Sequence, residues 1–482
     1  MVKIPIYIEA LLFFLFLTAT PIPKHLGLYQ YLSSFHPAFV GLYPWTISNE
    51  DQWGFSFKEL YNDDNNQNQN KLHGQTAIVT GANSGIGYEL SLALARLGVT
   101  VTMACRDPSK CAAAATKILN DDMVVENKKK RNKGNDDDND DESGDVGLLV
   151  RTMTVDMSSL KSVKKFCIDY NNYQQQAKNN DNENDNDANH NQHQHQHQHQ
   201  HQLVDMLFFN AGIKYADDSD DDGSSSESRL ALSEDGIEQI FATNVVGHHL
   251  MYKLLVEQPM NMNNNIRPTR TTTTTTPTTP IPIRIVSTSS AVSYLCEFPY
   301  KVATDIKTLN SAISKDPNLY HQSKLAQVLW TKELTSRLDS ANNNNNDADD
   351  DYADEIIIYA NSANPGAVAT KIWTDTTTTT TNSTAGSSTT GYSYSLLFWS
   401  LFNTVHQYFM WTPEEAALTL LYLGTSTRDL HQNNIRGKYF HPQSTLMKED
   451  HKLFAEDDNE RDTKLLQEKL WKFLDELVAD FV

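Results

Sequence analysis

The stretch Thr80-Gly81-Ala82-Asn83-Ser84-Gly85-Ile86-Gly87 decides the fold of this chain. It follows an apolar segment, Thr76–Thr80, which is predicted to be a buried strand, and it precedes Tyr88–Leu97, which is predicted to be a helix. Glycines allow backbone to approach a phosphate closely, and the helix N-terminus supplies N–H donors and a positive dipole end. The turn is therefore a candidate site for a dinucleotide pyrophosphate, with Gly81, Ser84, Gly85, Ile86 and Gly87 as its contacts.

A second string, Tyr320-His321-Gln322-Ser323-Lys324, places a phenol and an ammonium on one face of a predicted helix. A lysine beside a tyrosine favours the phenolate, so we expect Lys324 to lower the pKa of Tyr320 and to make it a proton donor and acceptor near neutral pH. The turn and the pair together indicate a hydride-transfer enzyme.

Low-complexity sequence occupies much of the 482-residue chain and cannot bury enough apolar surface to fold. The stretches that we assign to disordered loop inserts are Asp121–Gly147, Asn172–Gln202, Tyr215–Arg229, Pro259–Ile281, Ser340–Glu355 and Thr374–Tyr392. What is left after Leu72 suffices for one domain, which we place at residues 72–482.

The net charge of −21 resides largely in these inserts. An acidic chain without a basic stripe is a poor nucleic-acid binder, and the basic run Lys128–Lys133 is interpreted as solvated charge. The four cysteines are too few for a disulfide framework and lack metal-ligand spacing. The alternating His-Gln run at 193–201 lacks the supporting residues that a metal site needs, so we expect no functional metal.

Residues 1–23 are predicted to be a membrane anchor or signal segment, because Ile4–Ile22 is apolar apart from Glu9. An uncleaved anchor is favoured, and a cleaved signal and a soluble apolar tail stay open. Residues 24–71 form an aromatic lead-in and a polar linker, which either lies at a bilayer interface or packs on the core.

From Leu72 onward, short apolar runs alternate with amphipathic stretches. The predicted strands are Thr76–Thr80, Val99–Cys105, Leu148–Val155, Met206–Asn210, Ile283–Ser287 and Ile356–Ala360. The predicted helices are Tyr88–Leu97, Cys111–Leu119, Ser159–Asp169, Ser233–Leu255, Leu319–Leu338 and Thr463–Phe481, with a further helix starting at Pro413 after an N-cap at Thr412. Strands that alternate with helices predict an α/β fold with a single doubly wound parallel sheet and a ligand crevice at the carboxyl ends of its strands.

The end of the second predicted strand indicates the cofactor. An NAD site places an acid there for the ribose 2′-hydroxyl, whereas this chain has Cys105 and then Arg106. A guanidinium pairs with a 2′-phosphate, so the sequence favours NADP(H) over NAD(H). Asp107 is interpreted as a helix cap, and an ordinary surface role for Arg106 stays open.

From Leu72 to Lys371 the chain resembles the short-chain dehydrogenase/reductase family, and within it the retinol-dehydrogenase-like branch. The resemblance implies a Rossmann-type domain and the catalytic residues Asn244, Ser290, Tyr320 and Lys324. It implies that Asp156 contacts the adenine, that Asn210-Ala211-Gly212 steadies the fourth strand beside the cofactor, and that Pro365, Gly366, Val368 and Thr370 contact nicotinamide and phosphates. Tyr320 and Lys324 also contact the cofactor in this scheme.

The physics of these residue types fits the implied roles. Tyr320 would exchange a proton with the substrate oxygen, Ser290 would stabilise the developing alkoxide, and Asn244 would hold a water that leads to bulk solvent. Two alternatives stay open: Ser289 could be the working hydroxyl, and Asn244 could merely fix its helix.

These features predict an NADP-dependent alcohol dehydrogenase or carbonyl reductase for an apolar, retinoid-, steroid- or lipid-like substrate. Trp373 and the apolar segment Ser395–Trp411 are expected to line or cover that substrate, with a second membrane contact as the other interpretation of the segment. We expect membrane association at the endoplasmic reticulum, with the catalytic domain facing the cytosol. A catalytically weak cofactor-binding protein, or a scaffold that interacts through its inserts, is the alternative function. The sequence identifies neither the substrate nor the reaction direction, and it leaves a homo-oligomer open.

Overall fold

The computed structural model describes the core of the chain from residue 72 onward. The described residues are 72–133, 149–184, 204–214, 230–262, 282–296, 302–311, 316–345, 357–370, 410–426, 430, 433–446 and 459–482. The predicted anchor, the lead-in, the His-Gln run, the inserts Tyr215–Arg229 and Thr374–Tyr392, Trp373 and most of Ser395–Trp411 lie outside them.

A single sheet organises the described residues, in the strand order β3-β2-β1-β4-β5-β6-β7-β8. Its strands are β1 (Thr76–Thr80), β2 (Thr100–Cys105), β3 (Val150–Thr154), β4 (Met206–Phe209), β5 (Ile283–Thr288), β6 (Ile358–Ala363), β7 (Tyr439–His441) and β8 (Thr445–Leu446). All neighbouring pairs are parallel except β7 with β8, which is antiparallel. The predicted α/β fold with one doubly wound, Rossmann-type parallel sheet is confirmed.

The central strands are buried because both faces of the sheet are covered. In β1, Ala77, Ile78 and Val79 have no solvent exposure, and every residue of β4, β5 and β6 is buried. Burial on both sides is typical of parallel strands between two helical layers.

The helices of the described residues cover the two faces of the sheet. They are α1 (Gly85–Arg96), α2 (Pro108–Leu119), α3 (Asp122–Lys133), α4 (Leu160–Asn184), α5 (239–262), α6 (Ile306–Leu309), α7 (Pro317–Asn345), α8 (Pro413–Thr425) and α9 (Asn459–Val478). Side chains of α1, α2 and α8 form the hydrophobic core on one face, and those of α4, α5, α7 and α9 form the core on the other.

Helix α5 is not uniform, because it contains two wider π-helical turns, at Ala242–Val246 and Lys253–Glu257. The first of these turns contains Asn244, one of the predicted catalytic residues. π-Helical turns inside α-helices occur frequently at functional sites.

The predicted amphipathic helix at the end of the sequence is confirmed. Leu470, Phe473 and Leu474 of α9 are buried, and Trp471 stacks on Trp330 of α7 with their ring centres 5.8 Å apart. The start of α8 is also confirmed, since Thr412 and Glu415 form a reciprocal capping box ahead of it.

Four of the assigned low-complexity stretches were drawn too widely. Helix α3 lies inside Asp121–Gly147, α4 continues to Asn184, α5 to Met262 and α7 to Asn345. The start of α3 has a clear cause: Asp121 forms an ion pair with Arg96, with 2.7 Å between Nη2 and Oδ2, and accepts hydrogen bonds from the backbone of Met123 and Val124. Val124 is then buried against the core, which anchors an otherwise polar helix.

Two further features were not predicted. Strands β7 and β8 are too short to produce a periodic signal, yet Tyr439 and Phe440 of β7 are almost fully buried. A disulfide joins Cys105 at the end of β2 to Cys111 in α2. None of the described helices is long and apolar enough to span a bilayer.

Candidate active site

The glycine turn between β1 and α1 lies at the carboxyl end of β1, where the crevice of a parallel sheet is expected. Gly81 and Gly85 adopt φ values of +67° and +56°, a region that L side chains rarely enter. Gly87 has a different constraint, because a Cβ atom there would collide with the Gly81 carbonyl oxygen and lie 2.6 Å from Asn210 Nδ2. The turn can take its shape only with glycine at these positions.

The amino-terminal end of α1 keeps backbone donors for a ligand. Ser84 is its N-cap residue and is exposed, and its side chain makes no capping hydrogen bond. No acidic residue lies in the first turn of the helix. A helix start of this kind, after a glycine turn, suits a pyrophosphate.

The predicted Asn210-Ala211-Gly212 segment is tied to the end of β1. Thr80 Oγ1 accepts hydrogen bonds from the backbone N–H groups of Asn210 and Ala211, both at 2.9 Å, and Asn210 Nδ2 donates to the Thr80 carbonyl at 3.0 Å. The contacts hold β4 against β1, as expected from the sequence.

The segment after β6 lies against the glycine turn. Thr370 Cγ2 would be 3.1 Å from a Cβ atom at Gly85, and Ile86 packs against a small cluster of Val368, Trp411 and Ala416. Pro365 and Gly366 precede this contact, and Gly366 N–H donates to Asn364 Oδ1 at 2.9 Å. The structure therefore brings the two predicted cofactor segments together.

Arg106 and Asp156 follow the neighbouring strands β2 and β3 on the other side of the turn. Arg106 is exposed, and the side chain of Asp107 accepts from Lys110 N–H at 3.0 Å, which confirms Asp107 as the cap of α2. Asp156 Oδ1 accepts from both the backbone N–H and the hydroxyl of Ser158, at 2.9 and 2.7 Å. These hydrogen bonds fix the turn after β3.

Tyr320 lies in the first turns of α7 and is half-buried. Burial raises its pKa, and a hydrogen bond with the Ser290 side chain opposes that increase. The expected lowering of the Tyr320 pKa by Lys324 is therefore wrong for this arrangement, because burial is the largest effect and the Lys324 ammonium lies 5.5 Å from the centre of the ring.

The two candidate serines differ in their partners. Ser290, the residue that hydrogen-bonds Tyr320, is partly exposed at the end of β5. Ser289 is buried, and its hydroxyl donates to the backbone carbonyl of Lys324 at 2.7 Å. Of the two hydroxyls, the one of Ser290 is placed with the phenol.

Lys324 is almost completely buried, and its Nζ has two hydrogen-bond acceptors on the protein. It donates to the Thr288 carbonyl at 2.8 Å and to Gln327 Oε1 at 3.0 Å. Burial lowers its pKa to about 7. An ammonium has three N–H donors, so a third can face a ligand.

Asn244 joins three parts of the site through its side chain. Its Nδ2 donates to the Ile213 carbonyl at 3.0 Å and to Ser323 Oγ at 2.9 Å, and its Oδ1 accepts from Ile213 N–H at 2.9 Å. Ser323 is the neighbour of Lys324 in α7. These contacts also fix α5 against the segment after β4, as the alternative interpretation of Asn244 expected.

Two polar residues that the sequence analysis missed meet at the backbone carbonyl of Asn244. Gln327 Nε2 donates to it at 2.9 Å, and His248 Nδ1 lies 3.0 Å from it. The signals were available, because Gln327 lies three residues after Lys324 and His248 four residues after Asn244, on the same helix faces.

Strand β7 supports the serine segment from the other side, and this role was also missed. The Tyr439 hydroxyl donates to the Ser290 carbonyl at 2.9 Å. His441, which has no solvent exposure, lies 3.1 Å from both the Tyr294 hydroxyl and Asn364 Nδ2. The short strand thereby connects Ser290 to the segment after β6.

Comparison with known proteins relates this arrangement to a family. The sequence profile of the family described as short chain dehydrogenase matches residues 75–128. Human retinol dehydrogenase 14 is 27% identical over 77% of this chain and 78% of its own length. Mouse retinol dehydrogenase 13 is 26% identical over 77% of this chain and 76% of its own. A solved short-chain type dehydrogenase/reductase from Mycobacterium marinum is 16% identical, with a TM-score of 0.40 and coverage of 80% of this chain and 96% of that one.

Proposed function

Because the chain belongs to the short-chain dehydrogenase/reductase family, a family of oxidoreductases, and resembles its retinol-dehydrogenase-like branch, we propose that it is an NADP-dependent alcohol dehydrogenase or carbonyl reductase with an apolar substrate. One observation supports the proposal: Tyr320 lies beside Ser290, its ring centre is 5.5 Å from Lys324 Nζ, and Lys324 Nζ would be 3.3 Å from a Cβ atom at Gly212, next to Ala211, which contacts Gly81.

The residues present fit a bound nicotinamide dinucleotide. Gly81, Gly85 and Gly87 leave a turn without side chains, and the uncapped start of α1 offers N–H donors to a pyrophosphate. Arg106 is exposed at the end of β2, where its guanidinium would hold a ribose 2′-phosphate. When bound, the reduced cofactor supplies the hydride.

Tyr320 would transfer the proton that balances this hydride. In the reductive direction the carbonyl carbon gains the hydride, and the carbonyl oxygen gains the phenolic proton of Tyr320. The Ser290 hydroxyl would donate to the same oxygen as negative charge develops on it. The Lys324 ammonium, close to the ring, favours the negative charge that the departing proton leaves on the phenol.

Lys324 would also bind the cofactor ribose with its remaining N–H. Asn244 would hold α5 and α7 in register through Ile213 and Ser323, and thus fix the distance between Lys324 and the segment after β4. Asp156, Asn210, Ala211, Gly212, Pro365, Gly366, Val368 and Thr370 would shape the rest of the cofactor site.

The proposed substrate class rests on the relatives, whose names describe retinol dehydrogenases. Purified protein with NADPH should be screened against retinal, long-chain aldehydes and ketosteroids, with NADPH oxidation as the readout. Turnover of an apolar carbonyl supports the proposal, and turnover only of small polar carbonyls contradicts the substrate class.

We also propose that residues 1–23 anchor a dehydrogenase domain at 72–482 to the endoplasmic reticulum, with the domain facing the cytosol. The apolar run Ile4–Ile22 supports this proposal. The anchored protein should remain with membranes after a carbonate wash and should keep Met1. Release by the wash, or a mature N-terminus near Pro21, would contradict an uncleaved anchor.

A further inference from the structure

Gln327 lies between two groups of the proposed active site and contacts both. Its side chain is 3% exposed. Its Oε1 accepts from Lys324 Nζ at 3.0 Å, and its Nε2 donates to the carbonyl of Asn244 at 2.9 Å. A single amide thus bridges the lysine on α7 and the π-helical turn of α5.

The chemistry of the partners allows only one orientation of this amide. A backbone carbonyl can only accept, so the NH₂ group must face Asn244, and an ammonium can only donate, so the amide oxygen must face Lys324. The reversed amide would leave the Asn244 contact without a proton and the Lys324 contact without an acceptor. The amide oxygen of Gln327 is therefore fixed as an acceptor for Lys324 Nζ.

The second lone pair of the Asn244 carbonyl is also used. His248 Nδ1 lies 3.0 Å from it, and His248 Nε2 lies 3.0 Å from Thr80 Oγ1. Since a carbonyl has two lone pairs, two side chains saturate this oxygen. Through His248 the bridge continues to Thr80, directly ahead of the glycine turn.

We propose that Gln327 is a positioning residue of the proposed reaction, which holds the Lys324 ammonium at a fixed point between the Thr288 carbonyl and the π-helical turn of α5. This inference rests on the proposed function. Two of the three N–H donors of Lys324 are directed to Thr288 and Gln327. Because these two hydrogen bonds prevent rotation of the ammonium group, the direction of the third N–H is fixed. Gln327 thereby sets both the direction of that donor and the charge state of Lys324.

The charge state is sensitive to Gln327 because few other groups among the described residues influence it. Within the described part of the chain, the titratable side chains around Lys324 are Tyr320 on the same helix, His248 on α5, and Tyr439 on β7 beyond Tyr320. None of these three is a carboxylate that could stabilise the ammonium. The acceptors that the described residues offer to it are the amide oxygen of Gln327 and the Thr288 carbonyl.

The test compares two replacements that change the lysine in opposite directions. Gln327→Leu removes the acceptor, so Lys324 should lose its proton at lower pH, and Gln327→Glu adds a negative charge, so it should keep its proton to higher pH. We expect the alkaline limb of the kcat/KM profile for carbonyl reduction to move by about one pH unit down in the first variant and up in the second. The same replacements at Gln467, a buried glutamine on α9, are the control and should leave the limb in place.

A second readout needs no substrate. Because burial lowers the pKa of Lys324 from 10.5 to about 7, the native state holds fewer protons than the unfolded state between these values, and stability should rise with pH in that range. In urea unfolding of the cofactor-free protein, this rise should begin at lower pH in Gln327→Leu and at higher pH in Gln327→Glu. If Gln327→Glu does not fold, Gln327→Leu alone tests the inference. A shift of the rise in stability to lower pH supports it, and an unshifted profile contradicts it.

The outcomes separate this inference from the proposed function. Shifts in the unfolding profiles without turnover of any carbonyl would support the positioning role and refute the proposed reaction. Active variants whose pH limbs coincide with that of the parent, whatever the loss in rate, would show that Gln327 only packs the core, and the inference would be wrong.

Discussion

His248 and Thr80 form a buried contact in which Nε2 of the imidazole lies 3.0 Å from the threonine hydroxyl oxygen. The other ring nitrogen, Nδ1, faces the Asn244 carbonyl at 3.0 Å and must carry the ring proton, because a carbonyl only accepts. Nε2 is therefore an acceptor, and it shares the Thr80 hydroxyl proton with the Phe208 carbonyl, which lies 3.1 Å from the same hydroxyl oxygen. The hydroxyl oxygen already accepts from the backbone of Asn210 and Ala211, so a second ring proton would find no partner.

This contact predicts acid sensitivity. Burial lowers the pKa of His248 from 6.5 to about 4. Between pH 4 and pH 6.5 the imidazole is therefore protonated in the unfolded chain and neutral in the native state. Stability should fall as pH decreases through this range, by about 3 kcal/mol from this residue alone. Urea unfolding of the parent and of His248→Gln at pH 6.5 and pH 4.5 measures the effect. The variant should lose less stability than the parent on acidification, and equal losses would show that His248 is not the cause.

Replacement of Arg106 tests the choice of cofactor. A charge-assisted pair with a 2′-phosphate should favour NADPH over NADH by about 10–100-fold in kcat/KM, and Arg106→Ala should remove most of that preference. Lys110→Ala, which removes another exposed cation near the start of α2, is the control and should leave the ratio unchanged. Equal use of both cofactors by the parent protein would refute the assignment.

Replacement of Gly87 tests the close contact between the turn and β4. An added methyl group would collide with the Gly81 carbonyl and press on the Asn210 amide, so Gly87→Ala should destabilise the fold by about 1–3 kcal/mol. Ser84→Ala in the same turn, whose side chain makes no capping bond, should stay within about 0.5 kcal/mol of the parent. Urea unfolding provides both values. A Gly87→Ala protein as stable as the parent would show that the turn can rearrange to accept a methyl group, and that glycine is not required at this position.

The sequence predicted the central strands because each is a short apolar run with a turn residue at its end, and β1 agrees residue for residue. It failed where tertiary contacts compensate for a weak local pattern. Helix α3 depends on the Arg96–Asp121 pair, and β7 depends on burial of residues that are far from their partners in the sequence. Residue types alone could not give the direction of the Tyr320 pKa shift, because its largest cause is burial, which depends on the tertiary structure.

For the candidate site, too, local motifs could be recognised in the sequence, whereas contacts between distant segments could not. Motif spacing predicted a site formed by the glycine turn, Asn210–Gly212, Asn244, Ser290, Tyr320, Lys324 and the segment 365–370. Gln327 and His248, which contact these groups, belong to no motif, and their roles arise from contacts between elements that are distant along the chain.

The central claim is that Tyr320 transfers the proton that balances hydride transfer. The most direct measurement is single-turnover oxidation of bound NADPH in Tyr320→Phe, with a carbonyl substrate that the parent protein accepts. We expect a rate about 10²–10⁴-fold below that of the parent, with NADPH binding retained, because the ring stays and only the proton donor is lost. Tyr252→Phe, which removes the hydroxyl of a buried tyrosine packed on Trp330, should react at the parental rate. A Tyr320→Phe rate close to that of the parent would show that the proton comes from another group and would contradict the account.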